Sequence, residues 1–205
     1  MERFRNGTSI SPLRQIEAYW TALLVGEGVP RRSEIDPRGL ENVLENAFIL
    51  ERIAPGVARF RVAGNFLTEL AGMEVRGMPI TSCFGPVSRT QFSAILEHLF
   101  DTPAVAEVTL AGEAAKGQPD INGKMVLLPL QSDLGDITRA LGALVVDGKA
   151  GSRPRRLEVT NVVFRPVRAP HATSAVPREI VAGFAEEQRP FGAGKPHLRL
   201  VKSED

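Results

Sequence analysis

The residues able to do chemistry are few in this chain. Its 205 residues include three histidines, His98, His171 and His197, and a single cysteine, Cys83. His171 and His197 stand too far apart in sequence to read as one metal site, and no metal is expected. A phosphate-cradling loop at Gly194-Lys195 would need glycine where Arg189 stands, and Pro196 replaces the Ser or Thr that would hold magnesium. Neither the G-x-G-x-x-G nor the G-x-S-x-G pattern occurs. Asp133 and Asp136 bracket a turn, where capping of that turn accounts for both. Arg153, Arg155 and Arg156 form a basic cluster that reads as a solvated linker, without the stacking aromatics that nucleic-acid binding would want. No catalytic set emerges, and the chain is expected to be non-enzymatic.

Composition sets the class. Hydrophobic residues make up 43% and charged residues 24% of the chain, an ordinary globular balance. The formal charge of +1 gives no overall field for nucleic acid or an acidic membrane. Acidic residues outnumber basic ones through residue 148, and the reverse holds after it. One cysteine excludes an intrachain disulfide and suits a reducing compartment. The opening MERFRNGTSISPLRQ is charged, without the apolar run of a signal peptide, and no stretch approaches a membrane span. A cytoplasmic protein is expected.

The elements that must position any site follow from periodicity. Ser11-Pro12 opens a helix whose Leu13, Ile16, Trp20, Leu23 and Leu24 share one face. Asp36 caps a short helix from Pro37 to about Glu45, with Ile35 stapled onto Leu40. Ala47–Ile53 and Val57–Ala63 read as a hairpin about Ala54-Pro55-Gly56. Asn65 caps a short helix to about Ala71, and Pro86 opens a longer one. There Phe92, Ile95, Leu96, Leu99 and Phe100 form one apolar face, and Pro103 ends it. Strands follow at Ala104–Ala111, Ile121–Leu130 and Arg139–Asp147, with a sixth possible at Arg156–Arg165. Residues 1–30 read as a helical extension, 31–165 as the domain, and 166–205 as a largely flexible tail with a marginal helix at Arg178–Gln188.

A hairpin, a helical crossover and an antiparallel meander make an α+β fold, a five- or six-stranded sheet with helices gathered on one face. This order resembles a PAS domain. The chain is similar to the stand-alone PAS family common in alphaproteobacteria, once catalogued as a domain of unknown function. Arg32, Asp36-Pro37 and Leu44 carry the resemblance, with Phe60-Arg61-Val62-Ala63-Gly64, Gly72, Gly77, Leu128-Pro129-Leu130 and Leu141-Gly142. Together they span residues 13–150. Asn65 stands where that family usually has threonine, and both residues cap a helix.

The resemblance implies a sensory or regulatory module that binds a small apolar or amphipathic ligand, or a signalling protein, between sheet and helices. Phe48, Leu50, Phe60 and Val62 of the hairpin, Phe66 and Leu70 of the short helix, and Phe92, Leu96 and Leu99 of the long helix would wall that pocket. Haem-binding relatives use a histidine on the helix that carries His98, yet His98 falls about 120° from the apolar face and points away. Flavin photoreceptors carry an Asn-Cys-Arg-Phe-Leu-Gln run; here Ser82 precedes Cys83, and the arginine and glutamine are missing. Haem and flavin are both disfavoured, and Cys83 reads as a small core residue. The N-terminal helix, through Ile16, Tyr19, Trp20, Leu23 and Leu24, is offered either to a second copy of the chain or to its own sheet. Two rival readings stand beside this one: a small enzyme on a related cone-shaped α+β fold, and a nucleic-acid-associated factor using the basic tail.

Overall fold

The computed structural model describes residues 11–25, 28–112, 121–147 and 154–167. The expected tail beyond 167, its marginal helix, Arg153, His171 and His197 lie outside them. Helix α1 spans Pro12–Ala22, with proline in its first turn. A 3₁₀ turn at Arg32–Glu34 and a 3₁₀ helix at Pro37–Val43 lead into the hairpin of β1 (Ala47–Ala54) and β2 (Val57–Ala63). Asp36 caps the 3₁₀ helix by accepting a 2.9 Å bond from the Arg38 N–H. Helix α2 (Asn65–Ala71), a 3₁₀ turn (Ile80–Cys83) and α3 (Pro86–Asp101) form the crossover. Strands β3 (Ala104–Gly112), β4 (Asn122–Gln131), β5 (Ile137–Asp147) and β6 (Leu157–Pro166) complete the sheet.

All strand pairings are antiparallel, in the order β2-β1-β5-β4-β3-β6. The sixth strand is therefore real, and it extends the sheet beyond β3. The sheet has apolar side chains on both faces: α2 and α3 gather on one, as expected, and the N-terminal helix packs on the other. One core lies under α2 and α3: Phe48, Leu50 and Phe60 from the hairpin, Leu67 and Leu70 from α2, and Phe92, Leu96 and Leu99 from α3. The second lies on the opposite face, where Ile16, Trp20 and Leu24 meet Ile49, Val126, Leu128, Leu130 and Leu141. Period-two alternation along β1 divides Ala47 and Ile49 from Phe48 and Leu50.

Helix α1 packs on the second face of the sheet. The stripe considered for a second copy is spent on the chain's own sheet: Ile16, Trp20 and Leu24 are buried there, with Tyr19 and Leu23 packed beside them. The Trp20 indole N–H donates to the Pro129 carbonyl at 2.9 Å. The Tyr19 hydroxyl accepts from the Asp36 N–H at 2.7 Å, which ties α1 to the following 3₁₀ helix. Burying each such large side chain contributes about 1.5–3 kcal/mol. Gly142 faces the Phe48 ring across the β1–β5 pairing, and a Cβ there would run into that ring.

Candidate functional site

Most of the predicted pocket walls do converge. Phe48, Leu50, Phe60, Leu70, Phe92, Leu96 and Leu99 lie in one buried cluster, and Phe66 packs against it half-buried. The rings of Phe48 and Phe60 meet edge to face at 5.6 Å, and Phe84 stacks on Phe92 at 4.3 Å. These walls close on one another. A cavity of about 10 Å³ lies between α2 and the sheet, near Phe60, Leu67, Leu70, Cys83 and Met125. A cavity that size is at the limit for one water molecule.

Val62 is not among the walls. Ile49 pairs with Val62 but Leu50 pairs with Phe60, so Arg61 is an extra residue in β2. Such a bulge reverses the alternation. Phe60 points to the helix-side core, while Val62 turns to the opposite face and stands 51% exposed. Plain alternation, which puts Phe60 and Val62 on one side, fails at this one residue.

Val62 instead lines an apolar groove of about 370 Å³ on the α1 face. Ile35, Leu40 and Leu44 form its other side, with Ile49 and Leu141 in its floor. Leu44 is 43% exposed at its mouth. A cleft of about 760 Å³ shares Arg32, Ile49 and Val62 with this groove, so the two adjoin. Five arginines line the cleft: Arg32, Arg59, Arg61, Arg76 and Arg139.

One carboxylate organises three of them. Glu51 of β1 lies opposite Arg59 of β2 and Arg139 of β5 in register. Its Oε2 takes Arg59 Nη2 at 2.8 Å and Arg61 Nε at 3.4 Å, and its Oε1 takes Arg139 Nη2 at 2.7 Å. The Glu51 side chain is only 14% exposed. Burial alone would raise its pKa; the hydrogen bond from Arg59 and the charges of Arg139, Arg59 and Arg61 outweigh that and hold it below the ordinary value. Arg76 arrives from outside the sheet. Gly77, at φ 82°, bends the chain so that its N–H reaches the Phe60 carbonyl at 2.8 Å. The Met78 carbonyl accepts from the Phe60 N–H in return, laying residues 76–79 along the edge of β2.

Sequence reasoning did not single out this cluster as a site. Its signal was present: Glu51 lies among apolar residues of β1, and Arg59 and Arg61 alternate through β2. Only the register reveals that they face one another.

The other candidates settle simply. His98 is exposed on the side of α3 next to β6, its ring 4.2 Å from that of Phe164. Cys83 is half-buried beside the small cavity, and burial pushes its thiol up to about 11 despite a hydrogen bond with Ser82. Arg155 departs from the solvated-linker reading, being 5% exposed. Its N–H bonds the Leu70 carbonyl at 3.0 Å, drawing residue 155 to the end of α2, and its guanidinium occupies space beside Gly112. Among the described residues no three His, Cys, Asp or Glu side chains gather as a metal site, and no helix is long and apolar enough to cross a membrane.

Known proteins bear on this geometry as follows. No curated protein matches the chain. A solved light-oxygen-voltage domain, studied with a flavin analogue, is 16% identical with a TM-score of 0.41, over 55% of this chain and 84% of that one. The light-state structure of the blue-light photoreceptor Aureochrome1 LOV is 12% identical with a TM-score of 0.37, over 55% of this chain and 88% of its own. An RNA-binding light-oxygen-voltage receptor is 17% identical with a TM-score of 0.38, over 60% of this chain and 37% of that one. The sequence pattern described as the PAS domain matches residues 8–145, which cover α1 and nearly all of the strands through β5. This chain belongs to the PAS domain family.

Proposed function

We propose that the chain is a non-enzymatic regulatory module of the cytoplasm that takes its input by binding at the open β1–β2 corner. The occupant is a small amphipathic ligand. One observation supports this reading: the cavity between α2 and the sheet measures only about 10 Å³, whereas the groove beside Val62 offers about 370 Å³. Small-molecule sites ordinarily measure roughly 300–1,000 Å³. The flavin named with the first solved structure is no part of this reading. The cavity beside Cys83, at about 10 Å³, is too small for a flavin ring. The lone cysteine suits a reducing compartment.

The test uses an environment-sensitive amphipathic dye, anilinonaphthalene sulfonate, on the folded chain. Saturable fluorescence is expected, and Val62→Trp, which fills the groove from an exposed position, abolishes it without lowering the melting temperature. Dye binding that survives Val62→Trp refutes the groove as the site.

A further inference from the structure

We infer that the arginine-lined cleft is an anion site for an organic phosphate, whose phosphate sits among the arginines while its apolar part lies in the adjoining groove. This inference rests on the ligand reading above and names the chemistry of that ligand.

Charge carries the argument first. Five guanidinium groups line one cleft, against Asp133 on its wall and Glu51 beneath the cluster. The excess is three positive charges in a concave site. A single carboxylate does not balance it, since Glu51 already supplies one and is outnumbered by its three partners. A phosphate brings close to two negative charges and three acceptor oxygens.

Geometry carries it further. Arg59, Arg61 and Arg139 are fixed in place by Glu51, so their orientation is set before a ligand arrives. A guanidinium has five N–H donors, and the bonds to Glu51 use only some of them. Arg59 spends its Nε and Nη2 and Arg139 its Nη2 on Glu51, yet the three side chains remain 26–55% exposed and keep further guanidinium donors for phosphate oxygens. Arg32 and Arg76 approach from two other segments, one before β1 and one after α2, and complete the ring. Arg32 also lines the groove, alongside Ile49 and Val62, and so marks where head group and apolar part join.

The experiment measures binding of octyl phosphate, octanol and inorganic pyrophosphate by calorimetry, on the wild-type chain and on Arg32→Gln/Arg76→Gln. Octyl phosphate is expected to bind tightest, with affinity that falls as salt rises. Each arginine removed should weaken it roughly tenfold, the worth of one charge-assisted hydrogen bond. Pyrophosphate should bind weakly and lose affinity in the arginine variant, whereas octanol should bind equally to both proteins. Arg156→Gln, at an exposed position on β6's approach, should change nothing.

Two sources share this chemistry. Binding of soluble octyl phosphate without retention on phosphatidic acid vesicles assigns a free metabolite, while retention that Arg32→Gln/Arg76→Gln abolishes assigns a lipid headgroup. Octyl phosphate binding no tighter than octanol, or unchanged in the arginine variant, overturns the anion inference while leaving the groove intact. Failure of octanol and octyl phosphate alike overturns the ligand reading itself.

Discussion

Replacing Leu96 by tryptophan separates a filled helix-side core from a hollow one. Leu96 is fully buried in α3, between Phe92 and Leu99, and it faces the sheet. The small cavity in that core, about 10 Å³, lies toward α2 beside Leu67 and Leu70, and Leu96 is not among its lining residues. An indole is far larger than an isobutyl group, and interiors packed at crystal-like density do not absorb such a change without shifting rotamers or backbone. Overpacking costs typically 1–3 kcal/mol, and a substitution of this size belongs at the top of that range, at about 3 kcal/mol or more. For a domain of this length each kcal/mol lowers the melting temperature by about 2–4 °C, so a loss of about 6–12 °C is expected. Urea unfolding followed by circular dichroism measures the free energy directly, with Leu96→Met as the volume-matched control, costing less than about 1.5 kcal/mol. A Trp variant as stable as the wild type refutes the reasoning. It would mean that the space under α3 opens to ligand size, and the site would return to the interior.

Two further outcomes follow from the charges and the thiol. Glu51→Gln should cost about 1–3 kcal/mol at pH 7, because three arginines lose their shared acceptor. The Glu51 pKa is lower in the folded chain than its ordinary 4.5, so its contribution is full above 4.5 and is lost as pH falls through the folded value. The stability difference between the two proteins should therefore close below about pH 4.5, and a gap that persists in acid refutes the assignment. Cys83, with a thiol pKa of about 11, should react slowly with iodoacetamide at pH 8 and about tenfold faster per pH unit above it. Equal labelling of native and urea-unfolded protein at pH 8 would contradict its burial.

Local patterning made much of the fold legible. Prolines at Pro12, Pro37 and Pro86 mark helix starts because a fixed φ and a missing N–H suit the first turn. The five-residue apolar face of α3 is the clearest periodicity in the chain, and all five residues are buried. The Pro55-Gly56 turn gave the hairpin, with Gly56 at φ 65°. What stayed illegible depended on long-range registration. The Arg61 bulge arises from how two strands close a twisted hairpin, and nothing local in Phe60-Arg61-Val62 announces it. The destination of the α1 stripe was equally undetermined, since an apolar face fits a partner's surface as well as its own sheet. Arg155 was misleading for a related reason: its neighbours make a basic run, but the Leu70 carbonyl and the space beside Gly112 draw it inward.

The position of the candidate site follows from how the sheet is covered. Strands β4 and β5 have helical segments over both faces, and β4 accordingly reads as the nearly continuous apolar run Met125-Val-Leu-Leu-Pro-Leu130. On the helix side α3 and α2 reach across to the hairpin, so Phe48, Leu50, Ala58 and Phe60 are all buried. On the other side α1 covers β4 and β5, and the 3₁₀ helix reaches only the start of β1. The β1–β2 corner is left uncovered there. Residues on that face must therefore be soluble, and Glu51, Arg59 and Arg139 are what the strands place on it. A merely solvated face would be served by scattered charges of both signs. Five arginines converging on one cleft, three of them held around a single carboxylate, concentrate one sign next to an apolar groove. That concentration costs self-repulsion in the empty protein, and a bound anion relieves it.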